Sequence, residues 1–432
     1  MITISIVASG TRGDVQPYVA LGHGLKAAGY PVRLLASENF AMLAREADLD
    51  FVSTGESVEA VLQSDEWRKT TENGNFLTIL AKMRSEMKGR AAEIAQLMPT
   101  LLQGSDLILT GMSGMGGIFS IAELLKIPVV QAYVVPFAPT KEYPAPLVPK
   151  LPFGQTLNRL SYSVVQQMMW QMSKSGDAAT RQFLGMAKGS FWGPFAALKH
   201  RQVPALFGYS RHILPSPHDW PENYQVTGYW FLDAPNEWTP PSDLTAFLNA
   251  GKPPVYIGFG SMINGNPEAA GAMVLEALKQ SGQRGVLASG WGGLKPSDLP
   301  DTVHLIDSIP HSWLFPQMAA VVHHGGAGTT AAGLRAGVPS ILIPFTSDQP
   351  FWGQRIADLG VGPKPIPRKK LTSQGLAEAI TEAVSNTAMR QQANELGQKI
   401  QVEDGIANAV EFIRRFTQQS TINHRSSAAV KS

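Results

Sequence analysis

The segment from residue 320 to 343 reads AVVHHGGAGTTAAGLRAGVPSILI, and it predicts the fold. A short β-branched run, Ala320–Val322, precedes a glycine-rich turn, an alanine-rich helical stretch over Ala327–Ala336 and a second apolar run, Ser340–Ile343. Strand, turn, helix and strand in this order are typical of a βαβ unit, whose two strands pair in parallel. The segment therefore predicts an α/β domain built on a parallel sheet.

The same alternation of short apolar runs and longer helical stretches occurs in both halves of the chain. Further strands are predicted at Ile2–Val7, Val32–Ala36, Phe51–Ser53, Asp106–Thr110, Val129–Tyr133, Val255–Gly258, Gly285–Ala288 and His304–Ile306. Helices are predicted over Val15–Ala28 and Glu268–Gln280. We expect two doubly wound domains, each presenting the carboxyl ends of its strands to one central cleft where ligands bind.

Proline positions suggest how the chain is divided. Residues 231–254 contain Pro235, Pro240, Pro241, Pro253 and Pro254 and are expected to link an N-terminal domain (1–230) to a C-terminal domain (255–405). A short amphipathic helix over 406–416 is expected to pack back on the N-terminal domain. The polar segment 417–432 is expected to be disordered.

Composition excludes several classes of protein. The 432 residues include 36 Lys and Arg against 34 Asp and Glu, which is not the dense basic field of a nucleic-acid binder. The absence of Cys excludes disulfides, thiolate catalysis and Cys-based metal centres. No apolar run approaches the ~20 residues of a membrane-spanning helix. We expect a cytoplasmic protein, and contact with a membrane surface is left open.

The glycine-rich turn His323–Thr330 is suited to bind an anion. Helical amides from Ala327 onward lack partners inside the helix, and the helix dipole adds favourable potential for a phosphate there. The Thr329 hydroxyl offers one more donor. The alternative is a tight turn without a ligand. Neither the Walker pattern nor the Gly-x-Gly-x-x-Gly fingerprint is present.

Two motifs carry a resemblance to a known family. Trp313–Pro316 (WLFP), the HHGGAGTT run and Ser347–Gly353 (SDQPFWG) resemble the donor signature of the UDP-glycosyltransferase superfamily, glycosyltransferase family one. Gly10–Pro17 (GTRGDVQP) resembles the opening motif of sterol 3-beta-glucosyltransferases and glycopeptide-antibiotic glycosyltransferases. The resemblance implies the GT-B architecture, two Rossmann-like domains around a cleft. It is weak over Gly154–Lys199, where acceptor choice is expected.

The same resemblance implies roles for donor-binding residues. It places the donor diphosphate on His324, Gly326, Ala327, Gly328, Thr329 and Ser261, the sugar hydroxyls on Asp348 and Gln349, and the nucleobase on Ser308, Ile309 and Trp313. Alternatives remain for some of them. Asp348 and Ser261 also suit helix N-caps, and Trp313 and His324 also suit core packing. For His323, a core histidine is the preferred interpretation.

Asp14 is the candidate general base, because it lies in the loop after the first strand and faces the expected cleft. An N-capping Asp at the start of the following helix is the alternative. The resulting mechanism is a single inverting displacement that needs no metal or other cofactor. Asp48 and Asp50 suggest a metal-binding pair, but two solvated turn carboxylates fit their context better.

A concentration of pliable apolar side chains follows Phe153, and Met168, Met169, Met172 and Phe191 are the candidate acceptor pocket. Core packing, or contact with a membrane holding a lipid acceptor, are alternatives for this segment. The expected partners are a nucleotide-sugar donor and a hydrophobic acceptor, with the oligomeric state left open. No nucleic acid is expected.

The expected function is transfer of glucose from UDP-glucose to a hydroxyl of a sterol or sterol-like lipid, giving a β-glucoside. A second hypothesis is a natural-product glycosyltransferase that uses a UDP- or TDP-sugar on a polyketide, carotenoid or flavonoid-like acceptor. A third, from a different class, is a catalytically silent protein that binds nucleotide sugars.

Overall fold

The computed structural model describes residues 2–55, 76–148, 154–234, 238–259, 267–288 and 299–429. Most side chains of residues 76–90 and those of 419–429 are outside this description. Ser261, a candidate contact of the diphosphate, also lies outside the described residues.

The N-terminal domain is built on a parallel sheet. Its strands are β1 (Ile4–Val7), β2 (Val32–Ala36), β3 (Asp50–Ser53), β4 (Leu107–Thr110), β5 (Val129–Tyr133), β6 (Ala205–Phe207) and β7 (Tyr224–Val226). They lie in the order β3-β2-β1-β4-β5-β6-β7. Ile4 pairs with both Val32 and Leu107, so β1 is an interior strand of this sheet, beside the central strand β4. The sequence patterns predict β1 to β5 but miss the short strands β6 and β7.

Helices cover both faces of this sheet. They are α1 (Arg12–Ala27), α2 (Ala41–Glu46), α3 (Phe76–Leu101), α4 (Ile118–Leu125), α5 (Gly154–Phe183) and α6 (Phe195–His200). The long helices α3 and α5 pack against each other. The buried core below α1 includes Ile4, Ile6, Val19 and Leu21. Parallel strands that are buried on both faces explain the nearly continuous apolar runs in the sequence.

The C-terminal domain repeats this arrangement with a smaller sheet. Its strands are β8 (Val255–Gly258), β9 (Gly285–Ala288), β10 (Val303–Ile306), β11 (Ala320–His323) and β12 (Ser340–Leu342), in the order β10-β9-β8-β11-β12 with every pairing parallel. Its helices are α7 (Ser242–Asn249), α8 (Pro267–Ser281), α9 (His311–Leu314), α10 (Ala327–Ala336), α11 (Gln349–Asp358), α12 (Ser373–Ser385) and α13 (Thr387–Gln401). The opening βαβ segment therefore forms β11, α10 and β12.

The last helix, α14 (Gly405–Ala429), lies against α1 of the N-terminal domain. Ala409, Val410 and Ile413 are buried in the core below α1. The helix continues well beyond residue 416, so the segment expected to be disordered is helical as far as Ala429. The physical reason is that no Gly or Pro interrupts the chain between these points, and Thr417 is still buried.

The chain crosses between the two domains at neighbouring places. At the first crossing, Arg335 donates from Nη2 to Asp233 Oδ2 (3.0 Å) and lies over the Phe231 ring, 4.5 Å from its centroid. Near the second crossing, Gln401 Nε2 donates to the carbonyl of Arg335 (2.7 Å). Arg335 therefore contacts both crossing segments.

Candidate active site

The start of α1 places a carboxylate at the carboxyl end of the interior strand β1. Gly10 has a φ of +128°, and a Cβ there would lie 2.5 Å from Asp14 Oδ2. Only glycine combines that backbone conformation with so close an approach. Thr11 is the N-cap, and its amide and its hydroxyl both donate to Asp14 Oδ2, at 2.8 and 2.9 Å. The turn thus fixes the carboxylate of Asp14 in place.

This geometry shows whether Asp14 is the N-cap of α1, which is the alternative to its role as a base. The N-cap is Thr11, and Asp14 is the reciprocal partner at the third helical position of a capping box. Only Oδ2 takes part, and among the described residues Oδ1 has no hydrogen-bond partner. The helix starts at Arg12, earlier than the predicted Val15, because the capping box includes the loop in its first turn. Asp14 can therefore stabilise the start of α1 through Oδ2 and still present Oδ1 to a ligand.

Protein atoms crowd Asp14, although its side chain remains in contact with solvent. This crowding disfavours the charged form and raises the pKa of the carboxyl above its ordinary value, while the bonds from Thr11 oppose the shift. A carboxylate with a raised pKa is a stronger base than an ordinary one. This is the direction that a proton-accepting role needs.

The start of α10 offers donors in place of a carboxylate. Gly326 is the N-cap, and the first turn contains no acidic residue. The amides of Ala327, Gly328 and Thr329 are the first three of the helix and have no carbonyl partner within it, whereas Thr330 N donates to Gly326 O (2.9 Å). These three amides and the helix dipole form an anion-binding site.

The two helix starts face each other across the cleft. A Cβ on Gly328 would lie 4.0 Å from the Cα of Gly13. Two electrostatic effects also connect the domains: Asp14 contributes to a raised pKa of Asp348, and Arg12 contributes to a lowered pKa of His311. The predicted base and the predicted phosphate site are therefore adjacent in space.

Three histidines lie around this meeting point. Gly325 N donates to His323 Nδ1 (3.1 Å), and His323 Nε2 and His324 Nδ1 are buried without a partner among the described residues. Burial is the main cause that lowers the pKa of His324 and of His311, each to about 4, and it also holds the pKa of His323 well below its ordinary value. All three are neutral near pH 7. His323 is buried at the end of β11, which agrees with its interpretation as a core residue.

The loop before α11 holds Asp348 and Gln349 differently. Ser347 adopts a φ of +61°, a strained conformation for a residue with a side chain. Asp348 occupies the N-cap position but makes no capping bond with its side chain. Instead Trp352 Nε1 donates to Asp348 Oδ2 (2.7 Å), and burial raises the pKa of the carboxyl.

Gln349 is buried, and its side-chain carbonyl supports the loop. Gln349 Oε1 accepts from the amides of Phe345 (2.7 Å) and Thr346 (3.1 Å). Only its NH₂ group remains to serve a ligand. Of the two candidate sugar-binding residues, Gln349 therefore offers a donor, whereas Asp348 offers a carboxylate that also accepts hydrogen bonds from Trp352 and Ser347.

The candidate nucleobase segment follows β10 and extends into α9, where Trp313 lies. Ser308 is exposed, and Ile309 and Trp313 are half-buried against the core formed by β8, β9 and β11. Trp313 packs at 5.3 Å from Trp238, measured between ring centroids. Part of the Trp313 side chain therefore packs against the core, and the rest is accessible.

The candidate acceptor residues lie on α5 and in the loop after it. Met168, Met169 and Met172 are half-buried, and Met169 packs against the core that contains Tyr162 and Trp170. Phe191 is 57% exposed. Among the described residues, no hydrogen bond or ring contact joins these four side chains to Asp14, so a pocket that includes both stays a prediction.

Asp48 is 83% exposed and pairs with Lys26 at 2.7 Å. Among the described residues, no group of three or more His, Cys, Asp or Glu is arranged to hold a metal ion. Within the same ranges, no helix combines the length and apolar character needed to cross a membrane.

Sequence reasoning missed two residues of this site. The sequence assigns no role to Arg12 or to His311, yet the positive charge of Arg12 helps to lower the pKa of His311 across the cleft. His311 stacks on Phe315 with the ring centroids 4.2 Å apart. The position of Arg12 within the GTRGD motif was an available signal, but its target lies in the other domain.

Two family models match separate parts of the chain. Residues 4–144 match the glycosyltransferase family 28 N-terminal domain, and residues 292–409 match the C-terminal domain of erythromycin biosynthesis protein CIII-like proteins. The first covers the start of α1 and the second covers the start of α10.

The chain is similar over 96% of its length to sterol 3-beta-glucosyltransferases. It is 35% identical to that of Arabidopsis thaliana and covers 68% of it, and 36% identical to that of Neosartorya fischeri, of which it covers 29%. The chain thus spans less than a third of the fungal relatives that it matches.

Solved structures show the fold independently. A glycotransferase of kitacinnamycin is 19% identical, with a TM-score of 0.65. The match covers 96% of this chain and 98% of the kitacinnamycin protein. The glycosyltransferase VinC in complex with DTDP is 16% identical with a TM-score of 0.64, over 96% and 99%. These likenesses confirm the expected GT-B architecture of two facing α/β domains.

Proposed function

The chain belongs to the glycosyltransferase family that includes the sterol 3-beta-glucosyltransferases, and from this premise we propose that it glucosylates a sterol-like lipid. The donor is UDP-glucose, the acceptor group is a hydroxyl, and the product is a β-glucoside. The observation that carries the proposal is the close approach of the α1 and α10 starts at Gly13 and Gly328. One start supplies a base and the other supplies an anion site.

Asp14 is the proposed general base. Its Oδ1 is the uncommitted oxygen, because Oδ2 accepts both bonds from Thr11. The acceptor hydroxyl loses its proton to this carboxylate while its oxygen attacks the anomeric carbon of the donor. One displacement inverts that carbon, so an α-linked donor gives a β-linked product.

The leaving diphosphate is assigned to the start of α10. The free amides of Ala327, Gly328 and Thr329 stabilise the negative charge that develops as the glycosidic bond breaks. His324 is neutral, so it contributes a hydrogen bond rather than a charge. We propose that these fixed donors replace a metal ion, and that Asp348 and the amide group of Gln349 hold the sugar.

Family membership favours a sterol acceptor over a polyketide. The sterol 3-beta-glucosyltransferases are 34–36% identical across nearly the whole chain, whereas antibiotic glycosyltransferases of known structure are below 20%. The natural-product hypothesis is therefore the second candidate. It is favoured by the C-terminal family match alone.

The test is acceptor-dependent release of nucleotide diphosphate by the purified chain. UDP-glucose or TDP-glucose is supplied with a sterol, a flavonoid or a macrolide aglycone, with and without a chelator. We expect UDP release with the sterol, unchanged by the chelator, and a β-anomeric proton signal in the product. Turnover only with TDP-glucose and a macrolide would select the second candidate, and donor binding without turnover of any acceptor would select a binding protein.

A further inference from the structure

An apolar surface remains exposed on the outer side of α5. It consists of Leu157, Leu160 and Val164 on the helix and Phe191 and Trp192 in the following loop, with exposed fractions of 41%, 54%, 58%, 57% and 68%. We call these five residues the α5 apolar face. Single exposed apolar side chains are ordinary in proteins, but three on one helix together with two aromatic rings in the loop that follows are not.

The five residues form one continuous surface because of the helical repeat. Leu157, Leu160 and Val164 are spaced by three and four residues, and Gln167 and Gln171 continue the same side of α5. Both glutamine side chains donate from Nε2 to the carbonyl of Phe191, each at 3.3 Å. The loop that carries Phe191 and Trp192 is therefore attached in line with the exposed leucines.

The loop is held firmly while its aromatic rings remain outside. Trp170 Nε1 also donates to the Phe191 carbonyl (2.9 Å), and Gly193, with a φ of +81°, packs on the Trp170 ring. The rings of Phe191 and Trp192 meet edge to face at 5.2 Å. Three hydrogen bonds to the Phe191 carbonyl thus hold the loop while its two large apolar rings stay in water. Packing within the fold does not explain why these rings are exposed.

The segment of the chain that carries this face is basic. Residues 154–201 contain six Lys and Arg but a single acid, Asp177, giving +5 in a chain whose net charge is +2. Asp177 is buried, where it accepts from Arg181 Nε (3.1 Å), and Arg201 pairs with Glu123 (2.8 Å). The remaining cations are Arg159, Lys174, Lys188 and Lys199, which have no ion-pair partner among the described residues.

We propose that the α5 apolar face docks on an anionic lipid surface, with the Phe191 and Trp192 rings inserted among the headgroups. Apolar and aromatic side chains flanked by Lys and Arg are the combination that stabilises binding in the interfacial plane of a membrane. Lys174 already lies 4.9 Å from the Phe191 ring centroid, with its charge beside the inserted group. The inference rests on the proposed function in one respect: a lipid acceptor resides in membranes, which gives the docking a purpose.

The test is co-sedimentation of the full chain with vesicles, without donor or acceptor. Vesicles of phosphatidylcholine alone are compared with vesicles that also contain phosphatidylserine. We expect binding to the anionic vesicles only, weakened by added salt, and reduced at least about tenfold in Phe191→Ser/Trp192→Ser. Lys188→Glu/Lys199→Glu should weaken binding by a similar factor. Val402→Ser, which changes an 84% exposed side chain elsewhere, is the matched control and should bind normally.

Three outcomes would overturn the proposal. One is equal vesicle binding by the wild type and the aromatic double variant, or none by either. Another is a dimer in vesicle-free solution that the double variant loses, which would assign the face to a second copy of the chain. A third is normal vesicle binding by the double variant with a raised KM for dispersed acceptor, which would assign it to the acceptor. Vesicle binding requires no turnover, so its failure is separable from failure of the proposed function.

Discussion

The starts of α1 and α10 are the same structural device with opposite electrostatic character. Each follows a strand next to the central one in a parallel sheet, through a glycine-containing turn. The first turn of α1 contains Asp14, which accepts the amide and hydroxyl of Thr11, whereas the first turn of α10 contains no acid. A carboxylate occupies the positive end of one helix dipole, and the other is left for an external anion.

The difference teaches how two similar domains can divide one reaction. In the proposed mechanism the acid at α1 accepts a proton, and the start of α10 accepts the leaving diphosphate. Titration differs too: crowding raises the pKa of Asp14, and burial lowers the pKa of His324 to about 4. Both shifts are in the direction that the proposed mechanism requires, because Asp14 becomes more basic and His324 stays uncharged.

The largest expected effect is the loss of the acid at α1. Asp14→Asn retains the size of the side chain but removes the proton acceptor, so kcat should fall by about 10³-fold while the Kd for UDP-glucose stays nearly constant. Steady-state kinetics and calorimetric titration measure the two quantities. Asp50→Asn, which alters an exposed acid in the same domain, is the control. A normal turnover rate in Asp14→Asn would reject the base assignment.

The second expected effect concerns the histidines beside α10. The pKa of His311 falls from 6.5 to about 4 on folding, so the unfolded chain binds the proton first. The stability that this group contributes is complete above pH 6.5 and is lost as the pH falls toward 4. His311→Phe, which retains the stacking on Phe315, should lose less stability on acidification, by at most about 3 kcal/mol. Urea unfolding at pH 7 and pH 4 measures this, and an equal acid loss in both proteins would contradict it.

A third experiment makes α10 resemble α1. Gly328→Asp places a carboxylate in the first turn of α10, where space is open apart from Gly13. Repulsion should raise the Kd for UDP-glucose at least about tenfold above that of Gly328→Asn, which has the same shape without the charge. Equal affinity in these two variants would exclude this helix start as the diphosphate site.

The smallest expected effect adjusts Asp14 without removing it. The Thr11 hydroxyl donates to Asp14 Oδ2, and this bond lowers the pKa of Asp14. Thr11→Val deletes that hydroxyl. Without that bond the pKa should rise further, so the acid limb of kcat/KM should move to higher pH by less than about one pH unit. Thr11→Ser keeps the hydroxyl and should leave the limb in place. A shift toward lower pH would mean that another group controls the profile.

The sequence predicts the sheet architecture well because the strands are short, buried on both faces and continuous in apolar character. Val32–Ala36, Val129–Tyr133, Val255–Gly258 and Gly285–Ala288 agree with the structure at both ends. The strands β6 and β7 escape notice, since each has three residues and is recognisable only from its pairing partner. The last helix continues past residue 416 because neither Gly nor Pro interrupts residues 406–429.

The candidate site was only partly readable. Motifs predict which residues lie at the ends of strands, so Asp14, Gly328 and Asp348 were named. The commitment of Gln349 Oε1 to the amides of Phe345 and Thr346 depends on the path of one loop, which no spacing encodes. The interaction of Arg12 with His311 joins two domains, and a sequence pattern within one domain does not contain it.

The double crossing at Arg335 has a mechanical consequence. Asp233 on one crossing and Gln401 near the other both bind Arg335, so a single residue ties the two crossings together. The domains are also joined away from the crossings, because Arg355 Nε donates to the carbonyl of Ile213 and Trp352 lies in the same buried cluster as Tyr209. Opening the cleft would therefore have to separate this apolar contact, while the crossings at Arg335 stay together.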